Sequence, residues 1–178
     1  TSFADAQISA LTTTQLRGLT NTQAAALTAT NVGALTTTQA GSLSATQLGQ
    51  LTSTAFQALS TTQVAALSTT QLRGVTTTQI SALDAADIGE FSSTQAASLT
   101  AAQLGALNST NFTALSTTQL SALSTSQIAS VATTNLNALA DTQLAALTTT
   151  QVRSLTTTQV GALDATAVGA LTAGQVGA

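Results

Sequence analysis

Leu11-Thr12-Thr13-Thr14-Gln15-Leu16 opens an octamer that recurs along the whole 178-residue chain. With its positions labelled a to h, a falls at Phe3, Leu11, Leu19, Leu27 and onward to Leu171. Position a is always Leu, Val or Phe. Position b is Thr, Ser, Asp or Asn except at Ala4, Ala132 and Ala140. Position d is nearly always Thr. Position e is Gln or Asn except at Ala55, Asp87 and Ala167, position f is apolar throughout, and h is mostly Ala. The register never slips, so a single local geometry is repeated from end to end.

The period excludes a continuous helix. At about 100° per residue, eight residues advance about 800°, and the apolar positions would smear around the cylinder. A coiled coil needs a seven- or eleven-residue pattern, which is absent. One β-strand would put a and f, five residues apart, on opposite faces. A β-solenoid with Gln and Asn ladders stays open as the alternative, although no turn residue recurs at a fixed place to support it.

A short helix restarted in every octamer fits the pattern. The b hydroxyl is the N-cap, accepting from a free backbone N–H. The e Gln falls at N3 and completes a capping box, while a and f take the two places of a hydrophobic staple. One S/T-x-x-Q match is weak; a whole chain of them in fixed register is a strong signal. Each cap contributes on the order of 1 kcal/mol, which offsets the poor intrinsic stability of very short helices. On a helical wheel, d, h, e, a and f share one half. The expectation is therefore that a and f are buried, h and d lie at helix contacts, and c and g face solvent. Arg17, Arg73 and Arg153 at g, and Asp5 and Asp141 at c, agree with that division.

Such helices bury their apolar face only by stacking. The expected fold is all-α: one solenoid over residues 1–178, one short capped helix per octamer, with about two octamers per coil. At about 8–10 Å between helices, about eleven coils make a stiff rod of about 100 Å. A longer repeat is also visible. The stretch 40–75 resembles 96–131 after a shift of seven octamers, and an Arg-bearing segment recurs at Arg17, Arg73 and Arg153, seven and then ten octamers apart. One spacing is odd and one even, so duplication follows the octamer, and successive octamers are expected to be nearly equivalent.

The octamer L-T-T-T-Q-[LV]-x-A-L, clear at 11–19, 59–67 and 147–155, resembles repeat arrays of large secreted or cell-surface, adhesin-like proteins of bacteria. The resemblance covers the whole chain. It implies a segment of a longer array, an extracellular or cell-surface location and a structural role.

Composition narrows the chemistry. The chain has no Cys, His, Lys, Met, Trp, Tyr or Pro, 5% charged residues and a net charge of −3. Nucleophilic catalysis wants a hydroxyl beside a base, and with no His or Lys no catalytic, cofactor or metal site is expected. The acidic balance argues against nucleic acid as a partner, and no apolar run is long enough for membrane insertion. Asp84, Asp87 and Glu90 are the one acidic cluster. Three carboxylates suit a hard cation, but at b, e and h they read better as a cap and its neighbours at a helix N-terminus. The Arg residues sit near helix C-termini, where positive charge is favoured. Asn108-Ser-Thr and Asn111-Phe-Thr match the N-glycosylation pattern; the cap and box reading is preferred for both Asn.

Eight of the eleven Gly residues lie at g. Gly costs up to about 1 kcal/mol against Ala inside a helix, so either another backbone approaches closely there or the helix end tolerates it. The partner expected from all this is another copy of the array, end to end or laterally in fibres. A flat Thr/Ala/Gly face that binds ice or polysaccharide is the alternative, and the identity of any small-molecule ligand stays open.

Overall fold

The computed structural model describes residues 5–177, and among them every regular element is an α-helix. Twenty-two helices, numbered α1 to α22 in chain order, follow one another at one per octamer, from α1 (Asp5–Ser9) to α22 (Ala173–Val176). The all-α repeat solenoid read from the sequence is what forms. The expectations for Phe3 and Ala4, and for the side chain of Asp5, lie outside the described residues.

Helix α6 (Ala45–Gln50) shows how an octamer makes its helix. Ser44 is extended, at φ −70° and ψ 159°, and its hydroxyl accepts the Gln47 N–H at 3.1 Å. Gln47 Oε1 accepts the Ser44 N–H in return at 2.7 Å, so the predicted box is closed in both directions. The Ser44 carbonyl accepts the Leu48 N–H at 3.0 Å, and the helix ends when Leu51 N–H donates to Leu48 O at 3.1 Å. Leu51 then swings to ψ 145° and the next N-cap follows at once. Two extended residues, a and b, are thus the whole corner. No described residue has positive φ, so the corners need no left-handed glycine. This is why the sequence lacks a fixed turn residue.

The caps at Ala132 and Ala140 behave as their side chains dictate. Neither offers an oxygen, and the N3 N–H of Asn135 and of Gln143 turns to the Ala carbonyl itself, at 3.0 and 2.8 Å.

The chain falls into two compact units, Thr1–Glu90 and Phe91–Ala178. In the first, α3 (Asn21–Ala25) packs on α6 and α6 on α9 (Thr69–Gly74); α4 (Ala29–Gly33) packs on α7 (Ser53–Gln57) and α7 on α10 (Thr77–Ala82). In the second, α12 (Ser93–Ser98) packs on α15 (Thr117–Ser121), and α13 (Ala101–Gly105) on α16 (Thr125–Ala129). In that unit α17 (Thr133–Asn137) meets both α20 (Thr157–Ala162) and α21 (Ala165–Ala170). A helix therefore lies against the third one along, with a drift towards the fourth. The expectation of two octamers per coil is corrected: a coil takes between three and four. The reason is geometric. A corner of two extended residues turns the chain without reversing it, so three sides and part of a fourth are needed before the path closes.

Burial divides the octamer more sharply than the wheel suggested. From Ile8 to Ile128 every f side chain is fully buried, and from Leu27 to Leu147 the a side chains are 0–6% exposed. Position d is exposed in every described octamer, against the expectation that it lies at helix contacts. A wheel projects angle alone. In a helix of about one turn, height along the axis matters as much, and d sits at N2, beside N–H groups that have no intrahelical partner and need water. The row that replaces it in the interior is e, buried from Asn31 to Asn135 and again from Gln151 to Gln175.

Candidate functional site

The buried e carboxamide is the polar feature that every coil repeats. Its Oε1 is used by its own helix, as the box acceptor. Its Nε2 points the other way. Gln47 Nε2 donates to Leu16 O at 3.0 Å, Arg17 O at 3.2 Å and Leu19 O at 2.8 Å, the last being 28 residues back. Gln39 Nε2 reaches Ser9 O at 3.0 Å and Leu11 O at 2.8 Å, again 28 residues back for the second. In the second unit Gln151 reaches Leu120 O and Leu123 O, at 2.8 and 2.7 Å, and Gln159 reaches Ile128 O and Val131 O, at 2.9 and 2.8 Å. Gln63 donates to Leu35 O and Gln119 to Phe91 O in the same way.

These carbonyls belong to the corners, where the last C=O groups of a helix have no helical N–H to meet. One side chain therefore joins two corners: the start of its own helix and the corner one coil earlier. An offset of 28 residues is three and a half octamers, which matches the helix packing. No buried side-chain nitrogen or oxygen among the described residues is left without a partner. The sequence reading found half of this role. A signal for the rest was present: a capping box accepts Glu as readily as Gln, yet no e position is Glu. Glu can accept from the N-cap but has no N–H to give.

Position g works in the opposite direction along the chain. Arg17 Nε donates to Ser42 O at 3.3 Å and Asn137 Nδ2 to Ala162 O at 2.8 Å, each 25 residues ahead; Gln57 Nε2 likewise donates to Ala82 O. The Arg residues do lie in the last turns of α2 (Thr13–Arg17), α9 and α19 (Thr149–Arg153), as the dipole argument expected. The suspicion of close approach at g holds for part of the Gly set. A Cβ on Gly49 would lie 2.5 Å from the Gly74 carbonyl oxygen, and one on Gly105 would lie 2.9 Å from that of Ser130. Gly74, at h, is tighter still, since its Cβ would fall 2.6 Å from both Cβ and O of Ala45. Gly161 and Gly169 have nothing within 4 Å and are simply tolerated.

The acidic residues do not converge on a common point. Asp84 is the N-cap of α11 (Ala85–Gly89), its Oδ1 accepting the Asp87 N–H at 2.9 Å. Asp87 occupies a buried e place, and Glu90 is exposed at the helix C-terminus. Burial pushes the Asp87 carboxyl above its ordinary value of 3.8, the Asp84 charge adds to the rise, and the hydrogen bond from the Asp84 N–H opposes it. Asn108 caps α14 (Ser109–Thr113), accepting the Asn111 N–H at 2.9 Å; Asn111 is buried, so of the two sequons only the first presents its Asn to solvent.

What solvent meets is hydroxyl. The b and d residues, mostly Thr and Ser, are exposed in every described octamer that carries them. The b oxygens are engaged at the caps.

Residues 80–117 match the family model of the ALTTAQ repeat. The six letters of that repeat spell h to e of the octamer, as in Ala146-Leu147-Thr148-Thr149-Thr150-Gln151, where only d differs. They end on the Gln that joins the corners. The ALTTAQ match supports a repeat-array protein, which is what the helices build. No curated protein and no solved structure matches the chain.

Proposed function

We propose that the chain is a structural repeat array, a stiff rod or fibre element of an extracellular bacterial surface or matrix protein, without catalytic activity. The observation that carries this reading is the double use of the e carboxamides: the buried polar groups of each coil are spent on holding it to the coil before. Packed interiors of this kind resist bending, because each coil is held by apolar burial and by directed hydrogen bonds together. The surface location rests on the resemblance of the octamer to secreted arrays. Small-angle X-ray scattering tests the rod: an elongated particle close to one coil spacing per 28 residues is expected, and a compact scattering curve defeats the reading.

A second reading gains from the position of d. Thr at d was expected to be partly buried and is exposed instead, so regular hydroxyl rows face water. On this reading the rows bind ice or a polysaccharide. Thermal hysteresis and co-sedimentation with insoluble glucan or chitin are the checks. Absence of both effects removes it.

A further inference from the structure

The two sequons, Asn108-Ser109-Thr110 and Asn111-Phe112-Thr113, share one octamer, and the fold treats them oppositely. Asn108, Ser109 and Thr110 are all exposed. Asn108 Oδ1 accepts the Asn111 N–H at 2.9 Å, while its Nδ2 donates to nothing among the described residues. The Thr110 hydroxyl makes no hydrogen bond among them either. The second sequon is closed on both counts. Asn111 is 3% exposed, and the Thr113 hydroxyl is held by Ser109 O at 2.9 Å and Thr110 O at 3.1 Å.

The matching octamer of the duplicated stretch shows what Asn at b adds. Residues 51–58 read LTSTAFQA and residues 107–114 read LNSTNFTA. The two differ only at b, e and g, and those changes create both sequons. Thr52 already caps its helix in the same way, its hydroxyl accepting the Ala55 N–H at 3.1 Å. The cap therefore does not call for Asn, and no other b position has it. What Asn108 brings beyond a cap is Nδ2, and the helix makes no use of that atom.

We propose that Asn108 is an N-linked glycosylation site, modified by transfer from a sugar activated as a diphosphate. In the transfer Nδ2 bonds to the anomeric carbon of the sugar. The bond from that carbon to the diphosphate oxygen breaks, and the diphosphate leaves with the electron pair. One amide proton passes to a base of the transferring enzyme, and nothing is oxidised or reduced. The product keeps Oδ1 as an amide carbonyl, so the cap of α14 survives. Cap and sugar use different atoms of one side chain, and the first does not exclude the second. The same transfer to Asn111 would force its carboxamide out of the buried e row, so the folded array carries the sugar at Asn108 alone. The site rests on the reading of the chain as a surface array and adds a covalent attachment to its outer face.

Mass spectrometry of the chain purified from the cells that produce it tests this, with far-UV circular dichroism on the same samples. Cleavage after arginine gives a fragment, 74–153, that holds both sequons, and electron-transfer fragmentation assigns any sugar to its residue. A sugar on Asn108 with Asn111 bare is expected. A single hexose or hexosamine identifies a nucleoside diphosphate sugar as the donor, and a longer glycan identifies a polyprenyl diphosphate oligosaccharide; either supports the site. N108S keeps a cap hydroxyl, as at Ser116, and should stay as helical while losing the glycan completely. T110A keeps both the cap and Nδ2 and should lose it too, because the sequon is read through that hydroxyl. N111Q should keep it. A bare Asn108, a sugar on Asn111, or a glycan that survives T110A overturns the site. A helical chain with no sugar leaves the array reading standing; absence of the helical minima overturns the array reading itself.

Discussion

At a single e position, three demands meet in one side chain. It must accept from the N-cap, donate to a corner one coil away, and do both while buried. Gln does all three with one oxygen and two N–H bonds. Gln47→Glu keeps the acceptor and replaces the donor by a charge aimed at the carbonyls of Leu16 and Leu19. A loss of about 2–4 kcal/mol is expected at neutral pH from a buried charge with unpaired neighbours. The same change at exposed Gln15 should be nearly neutral. Urea titrations of the two variants compare them directly. Asp87 is the natural version of this experiment. Its carboxyl titrates higher in the folded protein than in the unfolded chain, chiefly through burial, so the folded state binds the proton more tightly. Above the folded value Asp87 is ionised in both states and its full penalty is present. The penalty fades as pH falls towards 3.8, the ordinary value, and is gone below it. Asp87→Asn, which installs a carboxamide like that of Asn135 with its 2.8 Å bond to Leu107 O, should add about 1 kcal/mol at pH 7. It should also flatten the pH dependence of stability between neutrality and pH 4. A variant whose midpoint still rises on acidification over that range contradicts this assignment.

Each helix of four to six residues is far below the length at which a helix stands alone in water, so its ends decide whether it forms. The b and e residues make those ends, and the capped-helix reading was legible because the box residues alternate with the apolar pair at fixed spacing. What the octamer could not show is where a helix points after its corner. The turn angle comes from the extended a and b residues, such as Leu51 and Thr52, whose sequence is the same whether the chain reverses or turns by less. Hence the coil was expected to hold two octamers and holds more than three. Likewise d was placed by angle, and the wheel had no means of knowing that N2 is solvated. The role of Gln beyond its own box was legible only in the absence of Glu at e. Among the capped helices of the second unit, α17 and α18 (Asp141–Ala145) are the weak pair, since Ala132 and Ala140 offer no side-chain acceptor. Their amides should exchange with deuterium faster than those of α15 and α16. Ala132→Thr with Ala140→Thr should stabilise the chain by about 0.5–2 kcal/mol per site and slow that exchange. Unchanged protection in the double variant would mean that packing, and not capping, limits opening there.

In a whole array built this way each coil meets only its neighbours, so stability is a sum over repeated contacts. The seven-octamer shift between the duplicated stretches then has a physical reading. Seven octamers are 56 residues, twice the 28-residue reach of the carboxamides. Duplicating that length adds a whole number of carboxamide reaches, so each inserted e side chain keeps an a carbonyl 28 places back. A ten-octamer spacing, as between Arg73 and Arg153, is not such a multiple, and it is tolerated because consecutive octamers are nearly interchangeable. The same equivalence predicts what deletions do. Removing Ser60–Leu67 joins Leu59 to Ser68, an a residue to a b residue, so every later e side chain still finds an a carbonyl 28 places back. The chain should remain helical and cooperative, with a stability loss near one repeat's share. Removing only the four residues 60–63 joins Leu59 to Val64 and puts f where b is required. That loses one cap and throws every contact across the junction out of register: 28 places before Gln71 now lies Gln39, an e residue, instead of the a carbonyl of Leu43. Thermal melts followed by circular dichroism should show the eight-residue deletion melting a few degrees lower as one transition, and the four-residue deletion melting much lower or in two steps. If the shorter deletion is tolerated as well as the longer, the corner-to-corner register does not hold the array together.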